Sequence, residues 1–206
     1  MRRASLRVGV VLAFGLSVPA EASFIFESAT LGATGQSVGL TVSDSQLVGA
    51  RFEVASRVDS ATIGGHFDQT IPGQFFGTVV ALSGPDDFPD SSDLSTSDVL
   101  GSALITFPEP SEEVFASLVV TLTPGWYAVV FGSGLFGSSG RGVAPENNPD
   151  IGSPSYFFRD AGGTYRNAST GNKRFFLTAI PEPSTALLLG GALLAQCVAR
   201  RRIRRP

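Results

Sequence analysis

One stretch decides the fold class of this 206-residue chain: Val48-Gly49-Ala50-Arg51-Phe52-Glu53-Val54. Every second residue from Val48 to Val54 is apolar, so these side chains share one face of an extended chain. A period of two is typical of a β-strand with one buried face. Eight further segments are rich in Val, Ile, Phe and Thr, and we predict that they are strands too. They are residues 37–42, 60–67, 75–82, 100–107, 114–122, 126–132, 155–158 and 174–179.

Pairs of turn-forming residues mark the breaks between the predicted strands. The pairs are Gly64-Gly65, Pro72-Gly73, Gly84-Pro85, Pro124-Gly125 and Gly162-Gly163. No stretch within residues 23–180 carries an apolar period of 3.6 over three turns, which is the signature of a helix. About nine short strands in one domain predict an all-β fold, an antiparallel β-sandwich of the jelly-roll type. Most phenylalanines lie in these strands and should fill the space between the two sheets.

The N-terminal residues predict export. Arg2, Arg3 and Arg7 precede an apolar run at 8–18, and small residues follow at Ala20 and Ala22. This order is that of a secretory signal peptide, a helix removed by cleavage after the second small residue. We therefore predict a signal peptide at 1–22 and a mature chain that begins at residue 23.

The C-terminal residues have three parts, which are Pro181-Glu182-Pro183-Ser184, an apolar run at 185–199 and an arginine cluster. The prolines favour an extended breaker, and Ser184 can cap a following helix. Fifteen residues span about 22 Å at 1.5 Å per residue, against a hydrocarbon core of about 30 Å. The arginines resist crossing and would stop the segment at the cytoplasmic face. They are Arg200, Arg201, Arg202, Arg204 and Arg205.

Residues 181–206 resemble the PEP-CTERM sorting signal in all three parts. The resemblance implies an exosortase-type processing enzyme as a partner and a transient anchor in the inner membrane. Release to the cell surface or the extracellular space would follow. Bacteria with this system make extracellular polysaccharide. The resemblance therefore implies this polysaccharide as a possible partner. An ordinary C-terminal membrane helix is the alternative interpretation of the same segment.

Charge and cysteine content exclude several functions for residues 23–180. Seven basic and sixteen acidic side chains give these residues a net charge near −9. Such a surface repels nucleic acid, so no nucleic-acid partner is expected. The segment has no cysteine, which excludes disulfides, zinc thiolate sites and thiol catalysis. Its one histidine, His66, would serve a catalytic triad only if a serine and an acid converged on it.

The domain itself resembles the bacterial exported proteins called choice-of-anchor proteins. Four segments carry this resemblance: residues 52–54, 63–67, 80–85 and 124–132. It implies a β-sandwich displayed or released at the cell surface, and it supplies no catalytic residues.

An acidic loop is the one candidate for metal binding. Residues 84–98 contain Asp86, Asp87, Asp90 and Asp93, with serines and threonines between them. Calcium binds six to eight oxygens of this kind, so calcium is the cofactor that this loop suggests. The spacing does not match an EF-hand, and a solvated acidic turn explains the same residues. Trp126 and Tyr127 are a second candidate, a sugar-stacking platform, although adjacent strand residues face opposite ways and one should be core.

Taken together, the residues favour an exported, exosortase-sorted cell-surface or extracellular-matrix protein. Its role would be non-enzymatic binding or structure, linked to extracellular polysaccharide. The alternative is a secreted enzyme that acts on the same polymers through paired carboxylates, about 5 to 10 Å apart.

Overall fold

The computed structural model describes residues 23–180, and all elements in that range are β-strands. In chain order they are β1 Phe24–Glu27, β2 Gly39–Val42, β3 Leu47–Val54, β4 Val58–Leu82, β5 Val99–Thr106, β6 Glu112–Ser117, β7 Thr121–Leu122, β8 Gly125–Gly132, β9 Ser139–Pro145, β10 Ser155–Arg159, β11 Tyr165–Asn167 and β12 Phe175–Ala179. The predicted all-β class is confirmed. Within residues 23–180 there is no helix of the length and hydropathy needed to cross a membrane.

The predictions for the two ends of the chain lie outside the described residues. They are the signal peptide with its cleavage residues Ala20 and Ala22, the motif at Pro181–Ser184, the membrane helix and the arginine cluster.

The strands form two antiparallel layers. The small sheet contains β1, β12, the first part of β4 and β6, in that spatial order. The large sheet runs β11, β10, β3, β8, the last part of β4 and β5. Strands β2 and β9 pair with each other, and β9 also pairs with the middle of β4. This arrangement is consistent with the predicted β-sandwich.

The predicted turns at Gly64-Gly65 and Pro72-Gly73 are wrong, because both pairs lie within strand β4. We expected two strands there, but residues 58–82 form one strand of 25 residues that contributes to both sheets. Register shifts at Gln69–Ile71 and Ile71–Gln74 bend it. At a bulge a proline need not donate to the ladder, so Pro72 is tolerated. Gly73 has a φ of +151°, a conformation that suits glycine.

The main core lies between the sheets and is dominated by phenylalanine, as predicted. Phe67, Phe75, Phe131 and Phe175 are fully buried. The ring centre of Phe131 lies 5.0 Å from that of Phe67 and 4.9 Å from that of Phe175. Each such side chain contributes about 1.5–3 kcal/mol by burial, so this cluster is the main support of the sandwich.

A second core covers the outer face of the large sheet, which the sequence did not predict. Strand residues supply most of it, and Leu94 joins them from the loop between β4 and β5. Its buried members are Leu47, Phe76, Val80, Leu94, Ala128, Val130 and Phe157. The loop is therefore a packed cover on the sheet.

The two ends of the described domain differ in what they hold. At one end the amide of Ala179 donates to the carbonyl of Ser23 at 2.8 Å, and the amide of Ile180 donates to Asp59 at 3.0 Å. We call this the terminal end, because the first and last described residues meet there. Ile71 lies at the bend of β4, eleven residues along the strand from Ser60, a path of roughly 36 Å at about 3.3 Å per residue. We call the region around this bend the crossover end.

Candidate functional site

The acidic loop contains turns that its own carboxylates cap. The Asp87 carboxylate accepts hydrogen bonds from the amides of Ser83 at 2.8 Å and Phe88 at 2.9 Å. Asp93 accepts from the hydroxyl of Ser95 at 2.7 Å. The hydrogen bond from the Ser83 hydroxyl is the largest cause that lowers the pKa of Asp87. The hydrogen bond from the Ser95 hydroxyl is the largest cause that lowers the pKa of Asp93. These aspartates thus stabilise local turns as hydrogen-bond acceptors.

The four predicted calcium ligands are spread along the loop surface. Asp86, Asp90 and Asp93 are exposed, and Asp87 is partly exposed. Among residues 23–180, no group of three or more histidine, cysteine, aspartate or glutamate side chains lies close enough to hold a metal ion. The calcium site therefore stays a prediction.

Three side chains from the large sheet hold the loop in place. Arg51 donates through Nε to the carbonyl of Asp87, and Arg159 donates through Nη1 to Ser92 at 2.6 Å. The hydroxyl of Tyr165 donates to the carbonyl of Ser91 at 3.3 Å. Because these bonds reach backbone carbonyls, they hold the main chain of the loop against the large sheet.

Arg51 is the central residue of this attachment. It is 2% exposed, and its guanidinium lies 4.3 Å from the ring centre of Phe88 and 4.9 Å from that of Phe157. Its Nη1 also donates to Ser155 Oγ at 2.8 Å and to Asn167 Oδ1 at 2.9 Å. Burial lowers the pKa of Arg51. The residue joins the loop to two strands.

His66 lies between a serine and an asparagine. Its Nδ1 is 2.7 Å from Asn147 Oδ1, and its Nε2 is 3.3 Å from Ser111 Oγ. Asn147 Oδ1 also accepts from the amide of Gly32, so this oxygen is the acceptor and Nδ1 of His66 carries the proton. Ser111 Oγ then donates to Nε2, which resembles the order of a catalytic triad.

The same three residues are placed for structure. Ser111 and His66 are fully buried, and the amide of Gln36 donates to Ser111 Oγ at 2.7 Å. A nucleophile must reach its substrate, and this hydroxyl is covered by the segment before β2. We interpret the network as a connection between β4, that segment and the β9–β10 loop.

Two carboxylates meet at one arginine on the small sheet. Arg174 forms ion pairs with Glu27 and with Glu113, and it also donates to the carbonyl of Ala29 at 2.7 Å. This is the clearest convergence of acids in the described chain. Both carboxylates share this one arginine, so the two ion pairs connect β1 and β6 on the outer face of the small sheet.

One of the two adjacent residues Trp126 and Tyr127 is core, as expected from strand alternation, and the sugar-stacking platform stays a prediction. Tyr127 is a core residue whose hydroxyl donates to Thr123 at 2.8 Å, and Trp126 is half-buried on the opposite face of β8. Only the tryptophan is accessible to a ligand.

A row of phenylalanines crosses the outer face of the small sheet. Phe176, Gly64 and Phe115 are direct neighbours on β12, β4 and β6. The ring of Phe176 packs against Phe24 with centres 5.7 Å apart. Phe24 and Phe115 are 47% and 62% exposed, so two apolar rings of this row face solvent.

The crossover end holds a pocket of about 350 Å³. It lies between the turn after β2, the bend of β4 and the loop that joins β8 to β9. We call it the crossover pocket, and its side-chain lining is Ser43, Asp44, Ile71, Ser133, Ser138, Ser139 and Arg141. No local sequence pattern predicted this pocket, because its residues come from three separate segments.

A second pocket, of about 360 Å³, lies beside β10 and β11. Its acidic group is already engaged, since Asp150 Oδ1 accepts from the Tyr156 hydroxyl at 2.6 Å and from the Asn172 amide at 2.8 Å. Burial is the largest cause that raises the pKa of Tyr156. We interpret this pocket as a by-product of that internal hydrogen bonding.

Comparison with known proteins identifies the C-terminal segment. Residues 179–205 match the family model described as the PEP-CTERM protein-sorting motif. No curated protein matches the chain. The resemblance to choice-of-anchor proteins stays a prediction. The chain therefore carries the sorting motif of an exported protein that an exosortase-type enzyme processes.

Proposed function

We propose that this protein is a non-enzymatic component of the cell surface or extracellular matrix that binds extracellular polysaccharide. The sorting motif at residues 179–205 carries the proposal, because it belongs to exported proteins of bacteria that produce such polymers. The protein would act after it has been anchored transiently in the inner membrane and then processed. No residue in this role needs to perform chemistry on the polymer.

Two features of the structure support binding over catalysis. The histidine of the domain is engaged with a buried serine, Ser111, which substrate cannot reach. The convergent acids Glu27 and Glu113 are paired with Arg174. The accessible chemistry is instead that of a binding surface, with a polar pocket at the crossover end.

The test uses the exported protein and matrix polysaccharide from the native host. We expect the protein to co-sediment with the polymer, both in calcium and in chelator, and to leave the polymer length unchanged. Release of new reducing ends would overturn the proposal in favour of the enzyme that uses paired carboxylates. A protein that stays in the supernatant under both conditions would also overturn it.

A further inference from the structure

The crossover pocket combines the groups that recognise a sugar. A pyranose ring presents hydroxyls at its edge and C–H groups on its faces, so its binding site needs acceptors, donors and an apolar surface. The pocket offers the Asp44 carboxylate as acceptor, the Arg141 guanidinium as donor and the side chain of Ile71, which is 53% exposed. We propose that this pocket is a subsite for one sugar residue of a neutral polysaccharide, an inference that rests on the proposed function.

The walls of the pocket are held by internal hydrogen bonds. Ser133 Oγ donates to the carbonyl of Gly140 at 2.8 Å, and Ser138 Oγ donates to that of Leu135 at 2.7 Å. The amide of Ser133 donates to Ser43 at 3.2 Å, which joins the β8–β9 loop to the turn after β2. A preformed site of this kind loses less entropy on binding than a flexible loop would.

The acidic side of the pocket is fixed while its carboxylate stays exposed. The backbone carbonyl of Asp44 accepts a hydrogen bond from Arg159 Nη2, which places the residue at the rim. The α-carbon and β-carbon of Asp44 also lie against Gly134, where any side chain would collide with them. The backbone of Asp44 is thus held in place, while its side chain is exposed to solvent.

The position of the pocket suits a polymer ligand. It lies at the crossover end, roughly 36 Å along β4 from the terminal end at about 3.3 Å per residue. The last described residue, Ile180, lies at that terminal end. A ligand in the pocket would therefore bind at the end of the domain that is remote from Ile180. A polymer could enter without displacing the strands that precede the motif.

The charge of the domain selects a neutral polymer. Residues 23–180 carry seven basic and sixteen acidic side chains, and this surface repels anionic polymers such as those rich in uronic acid. Within the pocket, Asp44 and Arg141 balance each other. Hydrogen bonding and apolar contact, which do not require a charged ligand, remain as the means of recognition.

The experiment measures binding of the full-length chain, purified in a detergent without a sugar headgroup, to an array of neutral gluco-, manno- and galacto-oligosaccharides and uronate-containing ones. We expect binding to neutral members only. Asp44→Asn removes the charge but keeps the shape, and Ile71→Thr keeps a β-branched strand residue but shortens the apolar surface. Each variant should raise the dissociation constant for the oligosaccharide that binds best by about tenfold or more. Phe115→Ser on the small sheet is the matched control, and it should bind as the wild type does.

Thermal unfolding of each variant first confirms that it is folded. Amide chemical shifts of the wild-type chain, titrated with the same oligosaccharide, should then change around Ser133–Arg141 even if a variant is lost to misfolding. Neutral binding that survives both pocket variants, or that Phe115→Ser abolishes, would overturn the subsite and leave the proposed function standing. Selective binding to uronates would also overturn it. A wild-type chain that binds no member would count against the subsite and the proposed function together.

Discussion

The guanidinium of Arg51 lies 4.3 Å from the ring centre of Phe88, and this contact connects the acidic loop to the centre of the large sheet. Arg51 is on β3, and Phe88 is in the loop between β4 and β5. A cation over an aromatic ring contributes about 0.5–2 kcal/mol, more when it is shielded from water. Because Arg51 also donates to the carbonyl of Asp87, one side chain fixes both the path and the packing of the loop.

We predict that Arg51→Met destabilises the domain and loosens the acidic loop. The methionine keeps much of the side-chain length but removes the hydrogen bonds to Asp87, Ser155 and Asn167. Losing bonds to a buried charged group costs about 2–4 kcal/mol in total. Thermal unfolding measures the loss, and hydrogen exchange should show faster exchange in residues 83–98.

Arg57→Met is the control for this change, since Arg57 is exposed in the turn before β4. We expect it to alter the free energy of unfolding by less than about 0.5 kcal/mol. Equal effects of the two variants would show that Arg51 contributes only a general charge.

A second prediction concerns the pH dependence of Asp87. Hydrogen bonds from Ser83 lower the pKa of this carboxyl below its ordinary value of about 3.9. The folded state therefore prefers the ionised form, and the stabilisation is present above the unfolded pKa and is lost as pH falls through the folded pKa. Asp87→Asn should lower the melting temperature at pH 7, because it removes about 1 kcal/mol or less of stability at this surface position, and the difference should shrink as the pH falls below the ordinary pKa of the carboxyl.

Asp90→Asn serves as the matched variant, because Asp90 is exposed in the same loop. Its melting temperature at pH 7 should match that of the wild type. Repeating both melts in calcium and in chelator also tests the calcium prediction. A shared ion would raise the wild-type melting temperature in calcium and lose that effect in both variants. A melting temperature of Asp87→Asn above that of the wild type in chelator would contradict the capping role.

The strand pattern could be predicted where the period was two, and it failed where packing replaced the pattern. Val48–Val54 lies within β3 as expected. Strand β1 was missed because Ile25 and Phe26 both pack on the core across a bulge, so alternation is broken. Strand β9 was missed because its residues, Ser139–Pro145, include glycines and charge and read as a connection.

Glycine pairs were misinterpreted for a related physical reason. At Gly64-Gly65 we expected a turn, but close packing requires both residues to lack a side chain. A β-carbon on Gly64 would lie 2.6 Å from the ring of Phe176 and 2.7 Å from Phe115 Cβ, and it would also collide with the carbonyl of Val114. Local sequence cannot distinguish a glycine needed for a turn from one needed beneath an aromatic ring.

The third prediction follows from that packing. Gly64→Ala should destabilise the domain by about 1–3 kcal/mol, since the new methyl overfills the space under Phe176. Gly84→Ala is the matched change, because a β-carbon there meets nothing within 4 Å and its φ is not in the left-handed region. It should be neutral or stabilise by about 0.4–1 kcal/mol. Thermal melts resolve these values, at about 2–4 °C per kcal/mol for this size. If both variants melted alike, the packing argument for Gly64 would fail.

The candidate site was harder to predict than the fold. The acidic loop was visible as a composition, yet its aspartates cap turns. The partly buried Phe88 and the buried Leu94 carry its attachment to the sheet. The crossover pocket left no trace in the sequence, because Asp44, Ile71 and Arg141 are brought together only by the bend in β4. Long-range pairing, which local patterns do not encode, creates the site.

The last prediction concerns processing at both ends. In the native host we expect a mature chain that begins at Ser23 and lacks the C-terminal apolar run and arginines, because the sorting motif spans residues 179–205. The described geometry is compatible with loss of both segments: Ser23 accepts the amide of Ala179 and Ile180 donates to Asp59, so the strands that flank the removed segments close within the domain. Intact-mass measurement of the exported protein gives both ends directly. A host strain without its exosortase-type enzyme is the control, and there the C-terminal segment should remain. Recovery of chains that still end at Pro206 from the unmodified host would show that the segment is a permanent membrane anchor.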